Sequence, residues 1–112
     1  MSKNEKITFD YRKFYDDIFD SGAQWLFVSN NSFLSRHRTG KPPCTRAEIP
    51  NAEYLQKNGV KLIYRFLQLP SFGEYRAAPE RVVREYVEAV AAVVGELRGK
   101  VAVWSLANGQ NF

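Results

Sequence analysis

A chain of 112 residues that is 45% hydrophobic and 14% aromatic can bury one core, is too short for two, and is too apolar to stay disordered. It is read as one domain over residues 1–112. A net charge of +4 and a pI near 9.3 are mild and do not by themselves point to nucleic acid. Cys44 is the only cysteine, which excludes an internal disulfide, and with the single His37 it cannot complete a closed metal-ligand set, so no metal or cofactor is expected.

The amino end, "MSKNEKITFDYRKFYDD", lacks the apolar centre of a signal peptide, and no apolar run reaches the ~20 residues of a membrane helix. A soluble, cytoplasmic protein without membrane contact is expected. In "FDYRKFYDDIFDSG" the residues Phe9, Tyr11, Phe14, Tyr15, Ile18 and Phe19 recur at mostly helical spacing, and Gly22 supplies a stop. "AQWLFVS" follows as a strand rich in aromatic and branched residues. Residues 30–50, "NNSFLSRHRTGKPPCTRAEIP", are expected as one long irregular loop with Cys44 exposed in it.

A short helix from about Pro50 to Lys57 stops at Asn58-Gly59; "VKLIYRFLQL" is the next strand, and "PSFGEY" ends it. From Pro79 to Leu97 the residues Val82, Val83, Tyr86, Val90, Val93, Val94 and Leu97 form one apolar stripe. Glu80 with Arg84, Arg81 with Glu85, and Arg84 with Glu88 are spaced i,i+4 as pairs on the other face. Arg98-Gly99 closes that helix, and "KVAVWSL" returns as a strand. Apolar strands each preceded by a helix predict an α/β fold with a parallel sheet of about three strands, whose chemistry would gather at the strand carboxyl ends.

Neither a P-loop, a Gly-rich dinucleotide fingerprint, HExxH nor a nucleophile elbow occurs. Arg36, His37, Arg38, Lys41 and Arg46 crowd the segment 36–46, which as a basic loop could grip an acidic partner or nucleic acid. The plain alternative is a solvated loop, and because no aromatics interleave with these charges, nucleic acid is disfavoured. Of the carboxylates, Asp16-Asp17 and Glu48/Glu53 make no convincing dyad, and Glu74 is the best placed relative to a strand end.

The phrases "LQKNGVKLIYRFLQLPSF" and "PERVVREYVEAVAAVVGELRGKVAVWSLANGQNF" resemble the third and fourth strand units of the retaining glycoside hydrolases built on an eightfold β/α barrel. The correspondence runs through Gly59, Val60 and Lys61, then Pro70 to Phe72, then Tyr86, Gly99 and Val101, and finally Trp104 to Asn111; "GAQWLFVS" is similar to the barrel's second strand. The resemblance implies part of a (β/α)8 TIM barrel with carbohydrate-facing strand ends. Asn108 matches the asparagine that holds the sugar's 2-hydroxyl, Phe72 would offer a stacking face, and Trp104 and Asn30 would join the substrate-binding set. The acid/base glutamate of the family falls on Gly109, the proline after it on Gln110, and the nucleophile's strand is not reached, so the resemblance implies no hydrolysis by this chain alone. Three strands also leave two unpaired edges and an uncovered face, which leads to the expectation of self-association or of a second polypeptide completing the sheet.

Overall fold

The computed structural model describes residues 11–106. In chain order these form α1 (Tyr11–Asp20), β1 (Trp25–Asn30), α2 (Phe33–Arg38), α3 (Glu48–Lys57), β2 (Lys61–Phe66), α4 (Phe72–Ala77), α5 (Pro79–Glu96) and β3 (Val103–Leu106). The strands make one parallel sheet in the order β1-β2-β3, with Leu26 opposite Leu62, Val28 opposite Tyr64, and Tyr64 opposite Trp104. The expected α/β architecture, a three-stranded parallel sheet with helices on one face, is the one that forms.

Local signals set the ends of several elements. Gly59, at φ 82°, follows the last turn of α3 in the left-handed conformation that glycine adopts without penalty. Its N–H bonds the Gln56 carbonyl and that of Val60 bonds the Leu55 carbonyl, so the chain turns directly from helix to strand. Pro79 sits in the first turn of α5, where its missing N–H costs nothing. Helix α3 begins at Glu48, two residues before the expected Pro50.

Two helices lie where irregular chain was expected. Helix α2 occupies part of the segment 30–50, and its amino end is capped from far along the chain: the Gln68 Oε1 accepts the N–H groups of Leu34 at 2.8 Å and Ser35 at 2.9 Å. Helix α4 lies in "PSFGEY" and opens with a reciprocal cap, Ser71 accepting from the Glu74 N–H while the Glu74 carboxylate accepts from the Ser71 N–H.

One sheet face carries the core. Leu62, Tyr64 and Phe66 of β2 are buried beneath Phe33 and Leu34 of α2, Ala52 and Leu55 of α3, Ala89 and Val93 of α5, and Tyr15 of α1. The aromatic rings interlock: Phe33 meets Phe66 edge-on at 4.9 Å, and Phe66 stacks on Trp104 at 6.0 Å. A fully buried ring such as Phe66 contributes on the order of 1.5–3 kcal/mol through area removed from water.

A polar chain crosses this apolar interior. The Asn30 amide donates to the Tyr64 hydroxyl at 2.9 Å, and that hydroxyl donates to the Glu48 Oε1 at 2.6 Å. The Asn30 Oδ1 accepts the Ser32 N–H at 3.0 Å, and the Glu48 Oε2 accepts the Thr45 N–H at 3.1 Å. Burial first, and the hydrogen bond to Glu48 second, push the Tyr64 phenol well above its ordinary range, so it remains a donor at every physiological pH. Replacing Tyr64 with Phe keeps the ring and leaves the Asn30 amide and the Glu48 carboxylate facing a gap; a loss of about 1–3 kcal/mol is expected in urea denaturation. A loss below about 0.5 kcal/mol would show that other groups satisfy both ends.

Candidate functional site

The carboxyl ends of the strands lie together because the sheet is parallel, and they are Asn30, Phe66 and Leu106. Chain leaving β2 passes through Gln68 and Pro70 into α4, which places Phe72 and Tyr75 one helical turn apart at this edge. Phe72 is 71% exposed and Tyr75 46% exposed, both large aromatic surfaces left in water. The Arg76 guanidinium lies 5.5 Å from the Phe72 ring centre. Beside them is an apolar groove of about 250 Å³ between α4, α5 and β3, lined by Leu69, Pro70, Tyr75, Val83, Tyr86 and Leu106. Tyr86 carries a buried hydroxyl without a hydrogen-bond partner among the described residues.

The residues expected to bind substrate are separated by the fold. Phe72 lies exposed on α4. Asn30, at 5% exposure, turns into the core, where both ends of its amide are engaged by Tyr64 and Ser32. Trp104 lies on the helix-covered face, packed at 5.5 Å from Tyr64 and stacked on Phe66, because it shares its side of the sheet with both. These placements correct the grouping of Asn30 and Trp104 with Phe72: the two serve the core, and neither faces the edge that Phe72 faces. Asn108, Gly109 and Gln110 lie outside the described residues. A cavity of about 60 Å³ bordered by Tyr15, Glu48 and Tyr64 is too small for a sugar ring.

Three of the five basic residues of segment 36–46, Arg36, His37 and Arg38, are engaged within the protein, while Lys41 and Arg46 are exposed. The Arg38 guanidinium meets Glu74 of α4 at 2.7 Å and Glu85 of α5 at 2.8 Å, His37 lies 3.7 Å from Glu88, and the Arg36 Nε donates to the Pro42 carbonyl at 2.7 Å. Glu85 and Glu88 therefore face α2 rather than the i,i+4 partners the sequence offered them. Glu74, the carboxylate best placed for chemistry in the sequence, is a cap and an ion-pair partner. Asp16 accepts from the Tyr54 hydroxyl at 2.7 Å, Asp17 pairs with Lys13, and Glu53 with Lys100. Among the described residues no three of His, Cys, Asp and Glu converge as a metal site, and no helix is long and apolar enough to cross a membrane.

Cys44, expected on an exposed loop, is 6% exposed because the segment after α2 folds down onto the core near Glu48 and Tyr64. Burial, followed by the nearby Glu48 charge, pushes its thiol up to about 12. Glu48 was considered in sequence only as a partner for Glu53, and its part in the buried chain of hydrogen bonds carried no sequence signal. The capping box of Ser71 and Glu74 did carry one, the S-x-x-E spacing.

Among the described residues no helix covers the opposite sheet face. Trp25 is 48%, Phe27 57% and Val103 43% exposed on it. The Lys61 ammonium sits 5.1 Å from the centre of the Trp25 ring, and the Arg65 guanidinium 4.7 Å from that of Phe27 while donating to the Ser29 hydroxyl. No protein family matches the chain, and no curated protein or solved structure matches it either.

The Glu85 and Glu74 carboxyls are held below the usual carboxylate range, in both cases first by the hydrogen bond from Arg38. Because the folded-state values are depressed, the Arg38 contribution is present above the ordinary carboxylate pKa of about 4.3 and fades as pH falls through the lower folded-state values. Arg38→Met is therefore expected to lower Tm by a few degrees at pH 7, with the gap to wild type closing below about pH 4. A gap unchanged by acid would show that the loss comes from packing. For Cys44, alkylation of the folded protein at pH 8 is expected to be at least roughly a hundredfold slower than in urea, read by mass spectrometry; equal rates would place the thiol at the surface.

Proposed function

We propose that this α/β unit is a segment of a glycoside-hydrolase-like barrel that binds carbohydrate at the carboxyl ends of its strands without hydrolysing it. The observation that carries the reading is the display of Phe72, 71% exposed and held by a capped turn directly after β2, with Tyr75 one turn behind it. A pyranose ring has one face of C–H groups and an equator of hydroxyls, and exposed aromatic rings match the first while water or polar side chains serve the second. The adjacent groove extends the apolar surface past a single ring, which suits a chain of sugars more than a monosaccharide. In sequence, Asn108 supports the reading as the match to the family's sugar-holding asparagine, and Gly109 supports binding without cleavage, since glycine can neither protonate a leaving group nor accept its proton.

Titration with cellohexaose, xylohexaose and mannohexaose, followed by amide chemical shifts, tests this. Binding of at least one is expected, weakened about tenfold by Phe72→Ala, as expected for a lost contact of about 1.4 kcal/mol, and with no release of reducing ends. Failure of all three to bind, or binding that Phe72→Ala leaves unchanged, would overturn it.

A further inference from the structure

The helix-free face of the sheet has a chemistry of its own. Its exposed apolar side chains are Trp25, Phe27 and Val103, with the half-buried Ile63 between the last two; its charges are Lys61 and Arg65, and Ser29 and Ser105 flank Arg65. No carboxylate stands on any of the three strands. Among the described residues the outer strands β1 and β3 each pair on one side only, which leaves both edges of the sheet open there. The row Phe27, Ile63 and Val103 across the three strands, with Trp25 beside it, is apolar surface that calls for cover. What can cover it is restricted by charge.

A second copy of this chain is a poor fit. However two such faces are turned, each brings only cations to the contact, so Lys61 and Arg65 would lose water against groups of their own sign. Strands that carry carboxylates among apolar side chains would instead meet both requirements, with the guanidinium of Arg65 able to receive a carboxylate bidentately. We infer that the open sheet face is the seat of a partner polypeptide whose contacting strands present carboxylates beside apolar side chains, and that the face rejects a second copy of this chain. The inference rests on the reading of the chain as a barrel segment, in which such strands complete the sheet, and is independent of sugar binding at α4.

Charge reversal turns the protein itself into the probe. The double variant Lys61→Glu with Arg65→Glu is mixed in equal amounts with wild type, and sedimentation velocity at micromolar concentration reads association. Each protein alone is expected to remain monomeric, and the mixture to form a 1:1 species at least tenfold tighter than either self-association, dissolving at high salt. A second double variant, Lys61→Met with Arg65→Met, removes the repulsion and keeps the apolar stems; it is expected to self-associate at least tenfold more tightly than wild type. Wild type associating with itself as tightly as the mixture would make a second copy the occupant and overturn the inference. So would a mixture that stays monomeric together with a methionine variant that stays monomeric. Because the readout is association, loss of oligosaccharide binding would leave this result standing, and the reverse also holds.

Discussion

The hydrogen-bonded chain from Asn30 through Tyr64 to Glu48 is the contact on which the arrangement of this protein depends. It starts at the last residue of β1, crosses to β2 and ends on the first turn of α3, so it fixes the two strands and the helix between them in one register. Around it the interior is aromatic and aliphatic, where an unpaired amide or carboxylate would cost more than the hydrogen bonds contribute. The chain is stable because every end is met: Ser32 closes one end and Thr45 the other. That closure also orders the segment between α2 and α3, and Cys44 is buried as a consequence.

A second constraint follows from where the helices went. All of the described core lies on one side of the sheet, and the other side is left with aromatic rings shielded by Lys61 and Arg65. The cations cover part of the ring faces with their own stems, a way for long side chains to lower the cost of exposed apolar surface. They are also the only charges on the strands of this face, so under the inference above the side chains that shield the rings would also select the partner.

Much of this was legible in sequence wherever the signal was local. The period of the apolar residues gave α1, α5 and the strands, Asn58-Gly59 marked the end of α3, and Pro79 the start of α5. What escaped was written across distance. Helix α2 is short and its own Ser32 provides no side-chain cap; its amino end is completed by Gln68, 34 residues after Leu34. The ion pairs of Arg38 and His37 were not legible in the basic cluster because the acids that take them up sit on α4 and α5. Aromatic and basic residues do interleave in this protein, on the open sheet face, where the partners come from different strands and no window of sequence contains both. Strand alternation likewise could not say which face the helices would cover.

The placement of Asn30 separates folding from ligand binding at the sheet's carboxyl edge. Asparagine at a strand end is free to meet a ligand only if its amide has no stronger claim, and here a buried phenol and a backbone N–H hold both of its ends. Turning it outward would leave Tyr64 with one partner fewer and Ser32 with an unpaired N–H, at a cost no single sugar hydroxyl offsets. Under the proposed carbohydrate reading, contacts at this edge would therefore fall to groups that project beyond the strands. Phe72 and Tyr75 meet that condition because α4 is anchored by its own cap and by Arg38, contacts that leave both rings in solvent. Substitution of Phe72 or Tyr75 therefore touches exposed rings, whereas substitution of Asn30, Tyr64 or Glu48 breaks the buried chain of hydrogen bonds.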